Sequence, residues 1–153
     1  RIENWLPIDS LDSFVFEGTT IYVAPDFALK NEKGNALLID WKTGRPGEGA
    51  DRMQLVCYGL FARQKWGVDP RRAIGELHYL LSNDVEIVTL DEAALDEGTE
   101  HIRRSIAAMK GLLADPATNL AAKEEFVRTE NLEICVRCNF RRVCRPNWPD
   151  LAE

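Results

Sequence analysis

The spacing of apolar and polar positions changes period several times along the chain, and each change marks an element. Residues 13–17, SFVFE, and 19–29, TTIYVAPDFAL, are rich in β-branched and aromatic side chains and predict strands. KNEKGN follows as a turn, with Asn31 and Gly34 suited to left-handed backbone, and ALLIDWK at 36–42 predicts the returning arm of a hairpin. RPGEGA reads as a loop. From Asp51 to Trp66 the period lengthens to three and four, with Met53, Val56, Cys57, Leu60 and Phe61 on one stripe, which predicts a helix. VDPRR breaks it. AIGELHYLLS and VEIVTL predict a second hairpin about Asn83 and Asp84. A long helix is expected from about Asp91 to Ala114, with Leu95, Ile102, Ile106, Met109 and Leu113 facing inward. Thr89 and Glu92 have the spacing of a capping box at its start, and Asp115–Pro116 stops it. The expected order, β-β-β-α-β-β-α, is that of an α/β domain with a mixed sheet covered by helices.

Composition narrows this picture little. The 153 residues suffice for one domain with a real core, and 45% hydrophobic with 29% charged residues is ordinary globular usage. No apolar stretch approaches the ~20 residues that span a bilayer, and nothing resembles a signal peptide, so a cytoplasmic protein with no membrane partner is expected. The first residue is Arg1 rather than methionine, which reads as a piece of something longer. The net charge of −6 argues against a nucleic-acid partner, but the charge is uneven. DEAALDEGTE holds five acids, as a solvated helix would, whereas ICVRCNFRRVCRP carries Arg137, Arg141, Arg142 and Arg145 with no acid. These arginines either track phosphates or form a solvated face.

The first hairpin holds the sharpest chemistry. Side chains alternate across a strand, so Asp40 and Lys42 share a face and Trp41 points the other way. A turn at the KNEKGN segment sets Asp26 opposite residues 39–41, beside Asp40, with Cβ atoms ~5 Å apart. Two carboxylates that close repel unless one is protonated or a cation sits between them. A hard divalent ion such as Mg²⁺ resolves the conflict, and Lys42 adds a second positive charge. A surface ion pair at a hairpin edge is the other reading of these residues. On the following helix Gln54 and Tyr58 are four apart and share a face. They could lean over the carboxylates and offer an amide and a phenol to a phosphate or a base, or they could form a half-buried rim. Cys57, beside Met53 and Leu60, reads as a buried structural thiol. His78 on a strand and His101 on the polar side of a helix also read as structural.

The run PDFALKNEKGNALLIDWKTG followed by QLVCY resembles the PD-(D/E)XK nuclease superfamily, and within it the RecB-like branch with AddB and the CRISPR-associated RecB-type exonucleases. That branch carries an Asp on one strand, D-x-K on the next, usually continuing Lys-Thr-Gly, and a Q-x-x-x-Y helix. Asp26, then Asp40 and Lys42, then Gln54 and Tyr58 match in order, over roughly residues 14–60. The resemblance implies a restriction-endonuclease-like mixed β-sheet flanked by helices. It also implies Mg²⁺ or Mn²⁺ held by Asp26, Asp40 and the Trp41 carbonyl, with Lys42 orienting or deprotonating the attacking water. The implied activity is metal-dependent hydrolysis of DNA phosphodiesters by an exonuclease of a recombination, repair or CRISPR-adaptation protein, partnered by a helicase or another subunit of such a complex. A non-catalytic DNA-binding or scaffold module that keeps the fold is the alternative.

Cys135-x2-Cys138-x5-Cys144 is the second signal, since two thiolates on one turn can bite one centre and a third can close around it. Such crowding in a reducing cytosol reads as a metal site before it reads as disulfides. The RecB-like branch frequently ends in this spacing, joined to a fourth, far-upstream cysteine around a four-iron, four-sulphur cluster (4Fe-4S). Here no cysteine precedes Asp26, and the resemblance implies that the upstream ligand, with an additional acid or histidine, falls before Arg1. The expected organisation is a nuclease core over 1–130, lacking its N-terminal part, and a cysteine-rich tail over 131–153. Zinc in place of the cluster, or a free or oxidised tail, are the alternatives.

Overall fold

Pro25 causes the first departure from the expected pattern. Lacking an N–H, it interrupts any ladder it enters, and the stretch 19–29 divides at Ala24–Pro25–Asp26 into two strands that belong to different sheets. In the computed structural model, which describes Leu6, residues 11–46 and residues 50–147, β1 (Asp12–Phe16) and β2 (Thr19–Val23) form an antiparallel pair. Glu17 and Gly18 link them with φ of 46° and 77°, the two left-handed residues that the tightest hairpin turn requires. β3 (Phe27–Lys30) turns back through Asn31, whose side chain accepts from the amides of Lys33 and Asn35 at 3.0 Å each, into β4 (Ala36–Lys42). The part of the expected loop at 47–49 lies outside the described residues.

β4 runs parallel to β5 (Ala73–Tyr79), and β6 (Asp84–Thr89) returns antiparallel, giving a mixed four-stranded sheet ordered β3-β4-β5-β6. Parallel neighbours need a crossover, supplied here by α1 (Ala50–Trp66). The expected strand over 73–82 stops at Tyr79, because residues 80–83 make the turn and Asn83 takes a left-handed φ of 58°. The order before α1 is thus four strands rather than the expected three.

α1 buries more of its circumference than its apolar stripe indicates. Leu55, Tyr58, Phe61 and Ala62 are all but inaccessible, together with Leu38 and Leu77 of the sheet face beneath. Gly75 admits this approach: a Cβ there would lie 2.8 Å from Leu55 Cδ1. On its flank, α2 (Glu92–Lys110) presses Gly98 against Val56 so closely that a Cβ would lie 2.1 Å from Cγ1. The helix starts one residue later than expected and is capped by Asp91, whose carboxylate accepts the Ala94 amide at 2.9 Å. Thr89 remains in β6, so the capping box does not form.

The chain divides into two compact units, Arg1–Arg104 and Ser105–Glu153. In the second, α2 ends at Lys110 rather than near Ala114, where Gly111 ends the regular bonding and the next amides reach back only three residues. Met109, expected to face inward, is exposed. Short helices α3 (Leu132–Val136), capped by Asn131, and α4 (Arg141–Cys144) carry Cys135 and Cys144, with Cys138 between them. Among the described residues no helix is long and apolar enough to cross a membrane.

Candidate metal centre

The ladder brings the two acids together. Phe27 lies opposite Ile39 and Ala28 opposite Leu38, so the same register continued by one residue sets Asp26 opposite Asp40. The Asp26 carboxylate accepts the Trp41 amide at 2.8 Å, which ties it to the backbone between Asp40 and Lys42. In a strand a residue's N–H and C=O point to the same edge, so the Trp41 carbonyl also faces the Asp26 side. Continued one residue further, the register sets Pro25 opposite Trp41, and a proline has no N–H to give that carbonyl. Pro25 therefore keeps a main-chain oxygen beside the two carboxylates out of the ladder.

Asp40 is buried, 3% exposed, on the sheet face that meets α1. A buried carboxylate is costly unless its oxygens are satisfied, and here each has a partner. Lys42 Nζ lies 2.7 Å from Oδ2, and the Tyr58 hydroxyl lies 3.0 Å from Oδ1. That hydroxyl also reaches the Ala24 carbonyl at 3.0 Å and accepts from Gln54 Nε2 at 2.6 Å. The Gln54 Oε1 accepts from Lys42 Nζ, which closes a ring Asp40–Lys42–Gln54–Tyr58–Asp40. Burial pushes the Tyr58 phenol far above the ordinary phenol range. The charge of Asp40 and its hydrogen bond push the same way, opposed by the Gln54 amide, and the Asp26 charge adds a smaller push. The phenol stays a hydrogen-bond donor at any physiological pH.

The five expected residues thus stand in one cluster, with a division of labour that their spacing did not disclose. Gln54 and Tyr58 are turned onto Asp40 and Lys42, and the Tyr58 side chain is buried, 2% exposed. The Ala24 carbonyl and Pro25 are additional parts of the site. Pro25 was legible as the residue before the first acid, but its effect depends on register. The donors offered to an ion, two carboxylates and one carbonyl, are all hard oxygens, which fits Mg²⁺ or Mn²⁺.

His78 points to the other sheet face, where its Nε2 meets Glu76 at 2.8 Å, and His101 is exposed on α2. Cys57 packs against the core, and burial raises its thiol pKa, as a structural thiol requires. The tail behaves differently. Cys135 is buried with Sγ 4.0 Å from the Asn131 carbonyl, and Cys138 and Cys144 are half-buried, all three as free thiols. Among the described residues no three of His, Cys, Asp and Glu, the tail thiols among them, converge in an arrangement able to hold a metal ion. They do not fit a cluster as they stand. Arg141 and Arg145 donate to the carbonyls of Val136 and Thr129, at 2.8 and 2.7 Å, and so lace the tail to itself.

A family model for the PD-(D/E)XK nuclease superfamily matches residues 3–145. A comparison with curated proteins returned no match.

Proposed function

From a chain that belongs to the PD-(D/E)XK nuclease superfamily, whose members are usually metal-dependent nucleases, we infer a deoxyribonuclease that uses Mg²⁺ or Mn²⁺ at Asp26, Asp40 and the Trp41 carbonyl. The observation that carries this reading is the β3–β4 register, which continued by one residue opposes the two acids, with the Lys42 amine 2.7 Å from Asp40. A divalent ion bound by these oxygens would polarise the scissile phosphate and make water a better nucleophile near neutral pH. The chain's own residues supply the rest. Lys42 carries a positive charge to the place where negative charge develops on the phosphate, and its amine is aimed there by Asp40 and Gln54. Tyr58 fixes the Asp40 rotamer, with the Ala24 carbonyl as its second anchor, so that the carboxylate needs no reorganisation when the ion arrives.

In finer detail we propose an exonuclease of the RecB-like branch, cytoplasmic, working with a helicase or another subunit in recombination, repair or CRISPR adaptation. The ordered set Asp26, Asp40, Lys42, Gln54, Tyr58 and the tail spacing Cys135-x2-Cys138-x5-Cys144 support this placement. A 4Fe-4S cluster belongs to the same proposal. It requires the three tail thiolates to draw together with a fourth donor, and iron or zinc analysis after anaerobic purification decides between the metals.

The main test is cleavage of DNA with Mg²⁺ or Mn²⁺ by the wild type, Asp40→Asn and Lys42→Ala. Each substitution is expected to lower the rate by at least about 10²–10³-fold, the scale of losing one preorganised electrostatic group. Wild-type rates in both variants would overturn the assignment. Tight DNA binding with no ion requirement and no cleavage would instead support a non-catalytic module.

A further inference from the structure

β4 and β5 run parallel and end together, Lys42 opposite Tyr79. The turn that follows β5 therefore stands at the same end of the sheet as the candidate centre. Its first amide, Leu80 N–H, donates to the Lys42 carbonyl at 2.8 Å. The turn is closed by the Asn83 amide on the Tyr79 carbonyl at 2.9 Å, with Asn83 in the left-handed region and the Tyr79 side chain sunk in the core. It is a braced projection, one residue from the lysine by hydrogen bond.

What this projection displays is unusual for its position. Hairpin turns are made by Gly, Asn, Asp and Ser, and Ser82 and Asn83 serve that purpose here. The two remaining residues are Leu80 and Leu81, 60% and 81% exposed. Neither leucine side chain is needed for the turn, and hydrating them is unfavourable. Adjacent leucines on a turn at the same end of the sheet as the proposed phosphodiester-cleaving centre have the chemistry of an apolar wedge, the kind of side chain that enters between base steps and unstacks them.

We propose that Leu80 and Leu81 form a wedge that engages the unstacked bases of a DNA end next to the scissile phosphate, and so admit one strand of a duplex end to the Asp26–Asp40–Lys42 centre. This rests on the nuclease reading, and it assigns a substrate class to that site: duplex ends whose terminal pair must be opened. The occupant is a base rather than a protein because the projection is joined through Lys42 to the place where the phosphate binds.

The experiment compares wild type with Leu81→Ser and the double variant Leu80→Ser/Leu81→Ser on blunt duplex DNA and on the same strand single-stranded. A duplex carrying 2-aminopurine next to its end reports unstacking on binding, with Ca²⁺ in place of Mg²⁺ to hold the complex before cleavage. The exposed positions leave the thermal melting unchanged. Wild type is expected to raise 2-aminopurine fluorescence and the double variant to leave it near the free-DNA value. Duplex cleavage should fall about tenfold in the double variant, with single-strand cleavage within about twofold, the scale of one base-stacking contact. Equal losses on both substrates, or no change on either, would overturn the wedge while leaving the nuclease assignment intact. Unchanged cleavage accompanied by an altered sedimentation coefficient would assign the leucines to a protein contact and also overturn it. A wild type that cleaves neither substrate would remove the nuclease reading and the wedge with it.

Discussion

The two chemical motifs of this chain meet opposite fates in the fold. Asp26, Asp40, Lys42, Gln54 and Tyr58 are drawn into one hydrogen-bonded cluster, whereas Cys135, Cys138 and Cys144, closer together in sequence, do not converge. The difference lies in what gathers them. The acids are placed by a β-ladder and a helix packed over it, whose free energy comes from backbone bonds and buried side chains such as Leu38, Leu55 and Leu77. Cys135 and Cys144 sit on α3 and α4, five and four residues long, with Cys138 between them, and Leu132, Ile134, Val136 and Val143 of these helices stay exposed. Helices of that length are not stable by themselves.

Three perturbations break or sharpen this contrast. The largest is Leu55→Ala, which removes the side chain on which α1 rests against Gly75. A loss of about 2–5 kcal/mol is expected by denaturant titration, with cleavage failing in step, because α1 carries Gln54 and Tyr58. A stable but inactive protein would show that the cluster depends on something other than this packing.

Tyr58→Phe is the middle case. It keeps the ring and removes the hydroxyl, taking away the one O–H that Asp40 Oδ1 and the Ala24 carbonyl share, so a loss of about 1–3 kcal/mol is expected, with cleavage falling about tenfold. The pH dependence carries a sign. The folded-state pKa of the phenol is raised, so its contribution is complete below the unfolded phenol pKa of about 10 and is lost as pH rises beyond it. Urea midpoints of the wild type should fall faster than those of the variant above that pH. Parallel slopes would show that the phenol is not buried as described.

The smallest effect is expected for Cys138→Ser/Cys144→Ser measured without metal. Both side chains are half-buried and unbridged, so the unfolding free energy should change by less than about 0.5 kcal/mol, while iron or zinc content after anaerobic purification drops. A large loss of metal-free stability would mean that the tail is organised by packing after all, and the contrast with the ladder would disappear.

Much of the candidate site's arrangement is legible in the sequence. The Asp40–Lys42 alternation, the Asp26 register and the Gln54–Tyr58 spacing follow from periods of two and 3.6, which local backbone geometry imposes. The capping expectation at Thr89 failed because β6 retained that residue in its ladder, and Asp91 was the next residue with a suitable side chain. Met109 failed because an apolar period shows which helix face is eligible for burial and not whether anything lies against it.

Sequence alone therefore determined the element types, the identity of the acids and the lysine, and the faces they share, since these depend on interactions between residues close in the chain or joined by one turn. Tertiary structure decided the rest: that Pro25 falls opposite the Trp41 carbonyl, that Tyr58 and Gln54 face Asp40 and Lys42, and that the turn after β5 is bonded through the Leu80 amide to the Lys42 carbonyl. Those relations arise where a ladder, a helix and a turn distant in sequence are pressed together by burial, and no local period encodes such a meeting.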